Sequence, residues 1–337
     1  MKKMLILVAV VSLLAGASFA EEAVLIDFGL LAADTHVATG ANDEGDTPNQ
    51  NERTLMDFAN VRFTGSFTDD QKATMKTSLA IENWEVVLSS SSRTIPNMVN
   101  SYTKEAPSKQ WGKVMGVRVH FPVENFNSSA VIRPPFEIPA YEPLEGGDGA
   151  ASDTNTKFEG GYGVLKNVGT IKSVAVNVYG LNFPHGLWIK ILNEEGKEKS
   201  LSMGNLNYDG WGELRWDNPA YIVEVRNRDL RLFPLYPETT PFIKFAGFEV
   251  KRDSANVGGD FITYFKDVKV IYDKAVLDTD RDIEDEALWK IIEARETARK
   301  VWQMERFGRQ QILRYIDSRK QATESTFTPT PTNGQEK

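Results

Sequence analysis

Val174, Val176 and Val178 alternate with Ala175, Asn177 and Tyr179, and this period of two recurs in short runs between residues 21 and 275. It places successive side chains on opposite faces of a strand, leaving one face apolar and the other polar. Antiparallel sheets with one buried face show this pattern. Strands of a parallel sheet, covered by helices on both sides, read as unbroken apolar runs instead. The candidate strands are 23–28, 78–88, 113–122, 171–180, 187–192, 213–216, 221–225, 242–250, 260–265 and 266–273, separated by clusters of turn residues. No helical pattern of useful length interrupts them. The expected fold is therefore mainly β, an antiparallel β-sandwich or jelly roll spanning 21–277.

The chain changes character at both ends. Lys2 and Lys3 precede an apolar run from Met4 to Leu14, and "GASFA" ends in small residues. Residues 1–20 thus read as a secretory signal with cleavage after Ala20, since the run is short for a membrane span. From Ile283 to Arg319 glycine and proline vanish except for Gly308, giving a long C-terminal α-helical segment within 278–320. It would measure about 55 Å if continuous. Acids from Asp280 to Glu286 open it, and Arg314, Arg319 and Lys320 close it, matching the helix dipole. Its apolar stripe includes Leu288, Ile292, Val301, Trp302, Ile312 and Ile316, with a polar stretch around Gly308 that suggests a bend. The stripe suits either packing on the parent sandwich or contact with a neighbouring subunit. The tail, 321–337, is polar and rich in Pro and Thr, the composition of a disordered segment. Residues 37–55 and 142–160 read as long surface loops.

Composition narrows the function. The chain has no cysteine, so neither disulfides nor thiolate chemistry is available. Its net charge of −8 argues against nucleic acid as a partner. No segment after the signal is apolar enough for membrane insertion. The only histidines, His36, His120 and His185, lack metal-ligand spacing, so no metal or other cofactor is expected. Asp209, Glu213 and Asp217 share parity, as a sandwich glycosidase would need, but Arg215 stands between two of them and no second strand offers matching acids. No catalytic residues are assigned, and the chain reads as a non-enzyme.

The densest aromatic stretch is "NYDGWGELRWDNP" (207–219). On a strand, Leu214 and Trp216 face one way, into the core, while Trp211, Glu213 and Arg215 face the other. Tyr208, Trp211, Glu213 and Arg215 are therefore the candidate interaction surface. A secreted carbohydrate-binding sandwich is the alternative reading of Trp211, because such modules stack sugars on exposed tryptophans.

Several stretches together resemble a known family. They are the signal segment, "WGKVMGVRVHFP" (111–122), "VLKNVGTIKSVAVNVYGLNFPHGLWIKILNEEGKEKSLSM" (164–203), "WDNPAYI" (216–222), "LYPETTPFIKFAGFEVKRD" (235–253), "GGDFITYFKDVKVIYDKA" (258–275) and "DEALWKIIEARE" (285–296). The combination is similar to the spirochaete periplasmic flagellar filament outer-layer, or sheath, proteins. That resemblance implies a galactose-binding-like jelly roll that coats a flagellin core in the periplasm and contributes to filament stiffness and motility. It implies flagellin and neighbouring sheath subunits as partners, and no catalytic residues. Sugar binding does not follow from a shared fold.

Overall fold

The computed structural model describes residues 21–31, 52–58, 68, 75–140, 156–221 and 241–275, together with 289, 291, 294, 298, 301, 302 and 305–313. Two antiparallel sheets face each other, and β2 (Met56–Asp57) pairs with β3 (Lys76–Thr77) in a small third one. In the first, β12 (Asp209–Asp217), β9 (Val168–Leu181), β14 (Gly259–Lys274), β6 (Gly112–Phe121) and β5 (Tyr102–Ser108) lie in that order, and β1 (Glu21–Asp27) also pairs with β14. In the second, the order is β11 (Glu198–Asn205), β10 (Gly186–Asn193), β13 (Phe242–Arg252), β7 (Ser128–Arg133) and β4 (Glu85–Leu88), and β8 (Val164–Lys166) also pairs with β13. Val174, Val176 and Val178 are fully buried, as the alternation requires, and face Ile189, Phe248 and Val250 of the other sheet within one core. Phe248 of β13 and Phe265 of β14 stack across it with centroids 4.0 Å apart.

The sequence divides residues 260–273 into two strands, whereas the structure has one, β14. Its register shifts between Phe265 and Asp267, where its neighbour changes from β6 to β1. Phe265 and Val268 both point into the core with two residues between them, so the alternation breaks although the strand does not. A second correction concerns 78–88. There the chain turns through a 3-10 helix, Ile81–Asn83, before β4, and the Asn83 amide donates to Ser78 O and Oγ. Strands β5, β7, β8 and β11, and the two-residue strands at 56–57 and 76–77, escape the sequence reading; β5 and β11 are polar edge strands. At Gly247, φ is 141° and an added Cβ would lie 2.3 Å from the Ile132 carbonyl oxygen, so only glycine permits the close β13–β7 approach.

The strand directions define two poles. Connections 122–127, 182–185 and 253–258 meet at one, the loop pole. They are joined there by α1 (Ile95–Val99), which follows the Leu88 end of β4 and precedes β5. Arg252, only 1% exposed, holds this pole together. Its guanidinium donates to Pro122 O (2.7 Å), Glu124 O (3.1 Å) and Asn256 O (2.8 and 3.0 Å), and the Asn256 amide donates to Pro184 O (2.9 Å). Nearby, Arg118 and His120 both bond Asp260, and these bonds, Arg118 first, hold its carboxyl below the usual carboxylate range.

His185 lies in the same region, stacked on Phe261 at 5.0 Å, and its Nδ1 has no hydrogen-bond partner among the described residues. Burial, reinforced by the positive charge of Arg252, pushes its pKa from 6.5 to about 4. The folded chain thus keeps His185 neutral where an unfolded histidine takes up a proton. Stability is full above the unfolded pKa and falls as pH drops towards the folded one. The expected loss is roughly 2–3 kcal/mol between pH 7 and pH 4. Urea unfolding of His185→Asn should lack this step, and an unchanged pH profile would refute it.

The opposite pole carries the 194–197 turn of β10–β11, the start of β13 and the end of β7. The C-terminal helical residues pack there. Residues 305–313 are helical without a break at Gly308, as are 289, 291, 294, 298, 301 and 302. The stretch around Gly308 is where the segment docks, with Phe307 only 3% exposed and its ring 4.0 Å from that of Phe58. Continuity of the helix over 278–320 lies outside the described residues, as do the signal, residues 37–51 and 142–155, strand 222–225 and the tail. The ends of the two predicted loops are tied together. Arg53 donates to Lys157 O (3.0 Å), Thr156 O (3.2 Å) and Glu159 O (3.1 Å) and lies over the Tyr162 ring.

Candidate interaction surface

Register places Trp211 of β12 opposite Tyr179 of β9, and Tyr179 opposite Tyr264 of β14. All three lie on the outer face of the first sheet, because their strand neighbours Val178 and Phe265 point inward. The rings meet edge to face: Trp211–Tyr179 at 5.4 Å and 82°, Tyr179–Tyr264 at 5.9 Å and 83°. Trp111, from the β5–β6 turn, adds a fourth ring, 6.3 Å from Trp211 at 78°. This is the geometry that ring quadrupoles favour. Sequence reading found Trp211 but not its partners, since they come from strands far apart in the chain.

The other candidates on this stretch divide. Glu213 and Arg215 are exposed on the same face as Trp211; Glu213 opposes Asn177, whose amide donates to Asp267 (2.7 Å), and Arg215 pairs with Asp217 (2.8 Å). Tyr208 does not join them. It packs on the core side, where a Cβ at Gly180 or Gly212 would come within 2.9 Å of its ring, and its hydroxyl donates to Val178 O (3.1 Å). Burial pushes its pKa up to about 12. Leu214 and Trp216 pack against the core as half-buried side chains, with the Lys199 ammonium 5.2 Å from the Trp216 ring.

Of the helical candidates, Ile312 packs against the core, while Val301 and Trp302 are exposed; Leu288, Ile292 and Ile316 lie outside the described residues. Trp302, Arg306 and Phe307 wall one side of a groove of about 700 Å³ against the outer face of the second sheet. Its polar floor is made of ion pairs: Arg133 grips Glu85 through Nε (2.9 Å) and Nη2 (2.7 Å), and buried Lys244 meets Glu137 (3.1 Å). Among the described residues, no three His, Asp or Glu side chains are grouped to hold a metal, and no helix is long and apolar enough to cross a membrane.

Residues 47–281 match the family described as flagellar filament outer layer protein FlaA. The chain belongs to that family. A flagellar filament outer layer protein of Treponema pallidum is 47% identical, the alignment covering 98% of this chain and 97% of the relative. One from Spirochaeta aurantia is 43% identical, with 92% and 90% covered, and one from Borreliella burgdorferi is 32% identical, with 79% and 78% covered. Among solved structures, TmCBM61 in complex with β-1,4-galactotriose is 10% identical with a TM-score of 0.27, over 56% of this chain and 88% of that one. A family 11 carbohydrate-binding module from Clostridium thermocellum is 10% identical with a TM-score of 0.25, over 57% and 91%. Likeness this weak carries neither ligand nor site to an outer layer protein. The family match ends before the described C-terminal helical residues, which the near full-length Treponema alignment spans.

Proposed function

We propose that this chain is a structural subunit of the outer layer of the periplasmic flagellar filament, exported by residues 1–20, coating a flagellin core and adding to its stiffness. The observation that carries this reading is the 47% identity to a flagellar filament outer layer protein across nearly the whole of both chains. In this reading Trp211, Glu213 and Arg215 form one contact face. The aromatic centre with charged neighbours has the anatomy of a protein interface. A sugar platform requires an open indole face, whereas Trp211 is engaged in edge-to-face contacts with both Trp111 and Tyr179. The described C-terminal helical residues belong, in the same reading, to one longer helix that docks through Phe307 and Ile312 and exposes Trp289, Val301, Trp302 and Leu313.

The test is compositional. Periplasmic filaments purified from cells that make the protein are expected to contain it, and filaments from a deletion strain to be thinner and more flexible. Filaments free of the protein would refute the proposal. Trp211→Ala is expected to lower filament occupancy several-fold while the purified protein stays folded, since an exposed edge-to-face contact contributes about 0.5–1.5 kcal/mol beyond area burial. Unchanged occupancy would remove Trp211 from the contact.

A further inference from the structure

Large apolar side chains are exposed at both poles of this sandwich, and the chemistry of the two patches differs. At the loop pole Ile95, Met98 and Val99 project from α1, with Val123 (73% exposed) and Val257 (88% exposed) on adjoining connections. Val123 and Val257 are neighbours, because Gly258 packs against Pro122 and Val123 backbone. Near the opposite pole Trp302 (54% exposed) walls the groove beside the buried Phe307, and Trp289, Val301 and Leu313 are exposed on the same C-terminal segment. The poles are separated by the length of β10, Gly186–Asn193, about 26 Å at 3.3 Å per residue. Exposed apolar clusters of this kind mark contact sites.

We infer that the helical pole of one copy docks on the loop pole of the next, forming a head-to-tail contact between outer layer subunits. This rests on the proposed function, which places many copies side by side. Two arguments select a second copy as the occupant. First, pairing like poles would close a two-fold dimer and leave the other patch of each copy uncovered, whereas helix-to-loop pairing covers both and continues indefinitely, as a filament layer needs. Second, the flanking charges are complementary. Glu124 and Asp253 are exposed beside Val123 and Val257, while Arg306 is exposed and lies 5.6 Å from the Trp302 ring; Arg309 on the next turn is paired with Glu305 (3.4 Å) and adds no net charge. Arg118 at the loop pole is neutralised by Asp260 (2.8 Å). So few residues make a small interface, below the ~1,200 Å² typical of stable complexes. The contact is therefore weak between free subunits and holds where the filament supplies a high local concentration.

The absence of cysteine makes the test clean. Full-length Val123→Cys, Val257→Cys, Val301→Cys and Leu313→Cys chains, with Ser200→Cys on the exposed face of β11 as control, are expressed in pairs, and isolated filaments are treated with a short bismaleimide. Helix-pole cysteines are expected to join loop-pole cysteines at least tenfold more than either joins Ser200→Cys, and the Val257→Cys/Val301→Cys double variant to give a ladder of oligomers. Crosslinks confined to like poles, or no helix-to-loop crosslinks in filaments that contain the protein, overturn the inference and leave the proposed function standing. Filaments lacking the unsubstituted protein overturn both.

Discussion

Arg252→Met should lower folding stability by about 3–5 kcal/mol, the summed cost of leaving several buried carbonyls without a donor. The arginine is almost fully buried, and four hydrogen bonds from its guanidinium reach three backbone carbonyls from two separate connections. Methionine fills much of the volume but donates nothing. Pro122, Glu124 and Asn256 would each keep a carbonyl turned towards an apolar side chain, at about 1–3 kcal/mol per unsatisfied buried group. Arg252→Lys should recover only part of the loss, because an ammonium lacks the planar fork that spans separate acceptors. Denaturant unfolding with an unchanged m-value reads the effect, and a loss below about 1 kcal/mol would mean that water replaces the guanidinium.

Phe307→Ala is the second large effect, about 3–5 kcal/mol by the usual cost of deleting a buried phenyl ring. It should appear first as undocking of the C-terminal segment rather than as collapse of the sandwich. Phe307 stacks on Phe58, which meets Phe136 at 6.1 Å, and Phe136 meets Phe158 at 6.0 Å, so the segment joins a chain of rings at the edge of the core. Amides of 305–313 are expected to lose hydrogen-exchange protection before those of β9 and β14. Truncation from Asp282 should likewise leave the sheets folded but expose Phe58 and Phe136, and so favour aggregation. Simultaneous loss of protection in both regions would show that the segment belongs to the global folding unit.

How much of this was readable beforehand depended on how local each cause is. The parity of "VAVNVYG" and of "ELRW" decided which side chains face the core, because strand geometry forces alternation whatever the partner. Those same parities could not show that Trp211 meets Tyr179 and Trp111, since register between β12 and β9 and the fold of the β5–β6 turn are set by the whole sheet. Tyr208 escaped the parity argument because it precedes β12 and swings into space left by Gly180 and Gly212. The polar look of the stretch around Gly308 hid the docking of Phe307, because a single buried ring carries little weight in a helical periodicity.

From its residues alone this chain determined that it is mainly β, antiparallel, free of disulfides and changed in character after residue 278, all consequences of local stereochemistry and composition. Tertiary structure alone decided the single long β14 with its bulge, the Arg252 anchorage, and the gathering of exposed Val123 and Val257 on adjoining connections of the loop pole. Each of these depends on residues up to about a hundred or more positions apart meeting in space, and only packing of the complete core brings them together.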